Sequence, residues 1–102
     1  MASSKDYLEY VLELLRNMDD VTYKKMMGEY ILYKGFIIFG GIYDNRFLIK
    51  KTSSSSALKF KEVVPYPNAK TMLLVNIEDA DEIEKIMMAI VNDIKKDTKF
   101  YR

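Results

Sequence analysis

Apolar residues recur along this chain with two different periods. Near the N-terminus the period is helical. Tyr7, Leu8, Val11, Leu12, Leu15 and Met18 fall on one helical face, with Glu9, Glu13 and Arg16 on the other. Ser3 and Asp6 stand at capping-box spacing at its start. The same period returns later: Ile83, Ile86, Met87, Ile90, Val91 and Ile94 define a second long helix. Asp79 and Glu82 have capping-box spacing there, and Asp81 and Glu84 add negative charge at the same end. Lys95 and Lys96 lie near the other end, where the helix dipole favours cations.

Between these helices the pattern shortens to that of strands. Residues 21–27 carry the Val, Thr and Tyr of a strand, although Lys24-Lys25 weakens the alternation. Gly28 breaks the run. Residues 29–33 form a second short strand, or the second half of one bent strand. Lys34-Gly35 reads as a tight turn, because glycine supplies a positive φ. Residues 36–43 are the most buried-looking strand, and Gly40-Gly41 inside it marks a bulge or a close approach by another element. Asp44 and Asn45 both tolerate left-handed backbone and predict the next turn. Residues 46–51 follow as a strand with Phe47 and Ile49 on one face and Leu48 on the other.

Thr52 to Ser56 reads as a capped helix start, with Ala57, Leu58 and Phe60 as its apolar face. Pro65-Tyr66-Pro67-Asn68 is irregular, since neither proline donates a backbone hydrogen bond. Residues 70–76 contain the run MLLV, a further strand, and the tail TKFYR is expected to fray. The predicted order is α-β-β-β-β-α-β-α, an α+β fold built on an antiparallel meander.

At 102 residues the chain is expected to form one domain, 1–102. Its apolar fraction of 49% and charged fraction of 30% are those of a soluble globular protein. No apolar run approaches the ~20 residues that span a bilayer, and the start MASSKDY lacks the apolar core of a signal peptide. A cytoplasmic protein with no membrane partner is the resulting expectation.

The chain has no cysteine and no histidine. Disulfides, thiolate nucleophiles and zinc–thiolate sites are excluded, along with the commonest general base and metal ligand. Any enzyme would have to work through carboxylates, lysine or tyrosine. Gly28, Gly35, Gly40 and Gly41 fit no phosphate-binding loop. Asp79, Asp81, Glu82 and Glu84 lack the spacing of a calcium loop and read as capping and solvating residues. No catalytic, cofactor-binding or metal-ligating residue is assigned, and no cofactor is expected.

Charge is uneven. Residues 1–21 carry two basic and five acidic side chains, residues 22–61 eight and two, and residues 62–102 six and eight. The basic middle could attract an anionic partner, and Lys24, Lys25, Arg46, Lys50 and Lys51 are its candidate contacts. The plainer reading is that these cations balance the acidic helices or guard strand edges. Tyr30, Tyr33, Phe36, Phe39, Tyr43 and Phe47 could form a stacking platform for single-stranded nucleic acid, but aromatics in a meander more often fill a core. Met26 and Met27 suit an adaptable surface; the plainer expectation puts one in the core and one at a sheet edge.

With the elements placed, the chain resembles the N-terminal domain of the TfoX/Sxy family, bacterial proteins named for a regulator of natural competence. Val21-Thr22 followed by Lys24-Lys25-Met26-Met27-Gly28 is similar to the family's basic-pair, Met, aromatic, Gly motif. Leu32-Tyr33, Gly35 and Phe39 match its turn and third strand, and Phe47-Leu48-Ile49-Lys50 its Leu-Tyr-Leu-Lys strand. Pro65-Tyr66, Ala69-Lys70 and Met72 match a segment of short, stand-alone members, and the acidic helix of residues 79–92 follows in order. Met27 stands where an aromatic is usual and Thr71 where proline is common. Residues 53–56 lack the family's acidic and asparagine character. The resemblance implies a two-layer α/β sandwich with helices mainly on one face of an antiparallel sheet. It also implies a regulator acting beside a DNA-binding activator, with no catalytic residues, although the full-length regulators carry a C-terminal domain that this chain lacks.

The expected function is therefore a non-catalytic regulatory or protein-interaction module with an unknown protein partner, for which the resemblance suggests the transcription machinery. The alternative is a nucleic-acid-binding module that uses residues 22–61.

Overall fold

The computed structural model describes residues 3–96. The chain starts in α1 (Lys5–Leu14) and runs through β1 (Val21–Met26), β2 (Glu29–Lys34), β3 (Ile37–Ile42) and β4 (Phe47–Ile49). The short α2 (Ser53–Ser56), β5 (Lys61–Val63), β6 (Met72–Leu74) and α3 (Ala80–Lys96) follow. The fold is α+β and the elements keep the predicted order, with one short strand, β5, added. All strands pair antiparallel in one sheet, in the order β1-β2-β3-β4-β6-β5. The expected tail TKFYR lies outside the described residues.

Residues 21–34 are two strands, not one bent strand. Met27 and Gly28 have φ of 54° and 83°, so the chain reverses there in a two-residue turn. Asp44 and Asn45 also lie at positive φ, both 54°. Tyr43 and Arg46 exchange backbone hydrogen bonds of 3.0 Å across them, closing the expected hairpin. Phe39 has no partner in the β2–β3 register, which shifts between Leu32 and Tyr33. This bulge lies immediately before Gly40-Gly41.

The core lies between the sheet and the helices. Leu8, Val11, Leu15 and Met18 from the first helical segment meet Ile83, Met87, Ile90, Val91 and Ile94 of α3 over Tyr30, Leu32, Ile37, Phe39, Ile42, Phe47, Ile49 and Leu73 of the sheet. Leu12 and Ile86, on the edges of their helical stripes, are only partly buried against this cluster. α2 packs on α3, where the Asp93 carboxylate accepts the Ser54 N–H at 2.8 Å. α2 stops at Ser56, so Ala57 and Leu58 form no apolar helical face. Thr52 caps it in a reciprocal box with Ser55, as expected. The α1 cap is Ser4, which accepts the Tyr7 N–H at 3.1 Å; Ser3 is not the cap, because its hydroxyl is taken by Glu29 and by the Asn45 N–H. Asp79 accepts the N–H groups of Asp81 and Glu82, the capping role its position predicts.

Candidate functional site

Strand alternation sorts the sheet residues onto two faces. Tyr30, Leu32, Phe47, Ile49 and Leu73 face the helices. Their neighbours Ile31, Tyr33, Leu48, Met72 and Leu74 must face away, and Ile38 does so on the far side of the bulge. None of these belongs to the helix-packed cluster. Among the described residues no helix packs on this outer face. Ile31, Tyr33, Ile38, Met72 and Leu74 are partly exposed there, while Leu48 at the centre is fully buried. Tyr43 folds back over the middle of the face: a Cβ built on Gly41 would lie 2.7 Å from its ring. Burial pushes the Tyr43 phenol above its ordinary pKa, helped by Tyr66 and Glu29.

The five sequence-predicted cations do not form one cluster. Lys24 and Lys50 project from the outer face by alternation, and Arg46 precedes the inward Phe47. Lys25 pairs with Tyr30 and so lies on the helix side. Lys51 turns the same way and bonds the Glu62 carboxylate at 3.1 Å. Arg46 is held at one corner of the outer face. Its Nε donates to the Tyr43 carbonyl at 3.1 Å, and its Nη2 to the carbonyls of Val64 and Pro65 at 3.4 Å. Lys50 is about half-buried, and desolvation draws its ammonium below the ordinary lysine pKa. The sequence reading missed Lys61, which pairs with Leu74 and joins the outer face from β5. The split of Lys24 from Lys25 was readable, because adjacent residues in a strand point to opposite faces; Lys61 gave no such signal, since residues 61–63 show no alternation.

The proposed aromatic platform is also divided. Tyr30, Phe39 and Phe47 are core residues. Phe36 is 99% exposed in the β2–β3 turn. Only Tyr33 and Tyr43 remain on the outer face. Neither Met26 nor Met27 fills the core: Met26 lies exposed on the edge strand and Met27 is 96% exposed at the hairpin tip. The turn geometry that the backbone adopts at Met27 points its side chain into solvent.

A cleft of about 430 Å³ adjoins the Arg46 corner, lined by Glu29, Asp44, Arg46 and the 64–67 loop. Its Glu29 carboxylate is already engaged, accepting from the Ser3 hydroxyl and from the Asp44 N–H at 3.1 Å. The two ion pairs found among the described residues are Arg16–Glu13 and Lys51–Glu62, and neither joins a helix to the sheet. No helix among the described residues is long and apolar enough to cross a membrane.

Compared with known proteins, the sequence matches no family model and no curated relative.

Proposed function

We propose that this chain is a non-catalytic regulatory module of the cytoplasm that docks another protein on the outer face of its sheet. One observation carries the reading. The face is aliphatic at its centre, has cations at its margins, and is covered by no helix among the described residues. Exposed apolar patches rimmed by polar groups mark interaction sites. An aliphatic centre suits side chains of another protein; nucleobases need aromatic rings to stack on, and this face retains two of the six candidates. A second copy docked face to face would set cations against cations. The resemblance to the TfoX/Sxy N-terminal domain supports a regulatory role and a partner in the transcription machinery. The absence of His and Cys supports a role without catalysis.

The test is photo-crosslinking in cells. A benzophenone amino acid replaces Ile31 or Ile38 on the outer face, and Glu9 on exposed α1 serves as the control. Discrete protein adducts that survive nuclease, formed from the first two positions only, are expected. Equal labelling from Glu9, or adducts that nuclease removes, would overturn the reading.

A further inference from the structure

The strand registers align six residues, one from each strand, in a single row across the outer face. In spatial order they are Lys24, Ile31, Gly41, Leu48, Leu74 and Lys61. The row crosses all six strands, so its two lysines are about 24 Å apart at ordinary strand spacing. Between them stand three aliphatic residues and a glycine under the Tyr43 ring. Both lysines are exposed, and each sits on an edge strand.

We propose that the docked partner is an acidic polypeptide segment, aliphatic in its middle and bearing a carboxylate at each end. Lys24 and Lys61 receive the two carboxylates and fix the register of the segment across the sheet. This rests on the docking reading above and names its partner. Charge supports it. The outer face presents Lys24, Arg46 and Lys61; Glu29, two residues before Ile31, lies on the same face, but its carboxylate is engaged by the Ser3 hydroxyl and the Asp44 N–H at the Arg46 corner. Size supports it as well. A row of about 24 Å and strands of ~10–20 Å give a patch of roughly 400 Å². That is about half of the ~800 Å² each partner contributes to a stable interface. A short segment in rapid exchange fits such a patch; a whole docked domain does not. Rim charges of this kind act chiefly on association rate and partner choice. Edge lysines that only discourage strand pairing need no common register and no common face; these two share both.

The test selects 16-residue peptides from a displayed random library on the full chain, then measures each by fluorescence anisotropy. Four proteins are compared: wild type, Lys24→Glu/Lys61→Glu, Ile38→Asp and Tyr33→Asp. The second face variant stands in if Ile38→Asp loses its circular dichroism signal. Selected peptides should carry aliphatic centres and acidic ends and should not bind the face variant. The double charge reversal should weaken them by about tenfold at low salt, and by less at high salt. Peptides lost with the face variant but indifferent to the charge reversal would overturn the lysine register and leave the docking face standing. No peptide sensitive to the face variant would overturn both. A (dT)20 oligonucleotide binding more tightly than every peptide, and lost in the same variants, would also overturn both and make this a nucleic-acid face.

Discussion

The hydroxyl of Ser3 donates a hydrogen bond to the carboxylate of Glu29, 26 residues further along the chain. The same oxygen accepts the Asn45 N–H at 3.0 Å, and the Ser3 N–H donates to the Gly28 carbonyl at 3.0 Å. Ser4 N–H reaches the Asn45 side-chain oxygen at 2.9 Å. Two hairpin turns and the entry to α1 are thereby tied at one buried serine. Ser3→Ala leaves the Asn45 N–H and the Glu29 carboxylate short of a partner and should cost about 1–3 kcal/mol. Ser4→Ala removes the helix cap and should cost about 1 kcal/mol. Urea denaturation of the two variants checks the order, in which the residue outside the helix matters at least as much as its cap.

Gly40 has no room for a side chain. A Cβ there would collide with the Leu48 carbonyl oxygen and stand 3.2 Å from the Ile49 Cα, both backbone atoms of the neighbouring strand. Gly40→Ala must push β4 away from β3 and should destabilise by about 3 kcal/mol or more. Thermal melting reads the loss, and a melting temperature near that of wild type would show that the strands part freely.

Met27 occupies a left-handed position, φ 54°, with its side chain in solvent. The backbone conformation costs a non-glycine residue about 1–2 kcal/mol. Met27→Asn should recover about 1 kcal/mol, because asparagine favours the first position of such hairpin turns. A higher urea midpoint with an unchanged slope is the expected signature.

Asp93 fastens α2 to α3. The backbone N–H of Ser54 holds its carboxyl below the ordinary aspartate range, aided by the hydroxyls of Ser54 and Thr52 and by Lys96, while slight desolvation opposes them. A depressed folded-state pKa adds stability that is fully present above the unfolded pKa and is lost as pH falls through the folded value. Wild type should therefore exceed Asp93→Asn in stability at neutral pH, and the gap should close on acidification. Denaturation midpoints of both proteins, followed from neutral into acid pH, test the sign.

The helices and the meander were legible because local pattern determines them. Asp44-Asn45 announced its turn through residues that accept left-handed backbone, and Ile83 to Ile94 announced α3 through a full stripe. β5 was not legible. Lys61-Glu62-Val63 has no alternation and becomes a strand only by pairing with Met72–Leu74. Met27 gave no local sign of its positive φ, since methionine has no preference for it; the hairpin register imposes it. The candidate face was half legible. Leu48 opposite Phe47 and Ile49 already required a second apolar face. That Lys24 and Lys61 share one row depends on five strand pairings, and no single segment of sequence encodes it.

β4 and β6 are joined by two registered pairs, Leu48↔Leu74 and Ile49↔Leu73, with one further bond from the Val75 N–H to the Phe47 carbonyl. β1 and β2 share six pairs. The meander therefore closes from neighbours in sequence, whereas β6 arrives only after a long loop has formed, an event that is slow on topological grounds. On these grounds that junction is expected to assemble last and open first, and the check is hydrogen exchange, in which amides of β6 should exchange with solvent before those of β2. A ligand lying along the Lys24–Lys61 row would bridge the junction from outside. By mass action it would hold the late strands in place, acting on folding as well as on recognition.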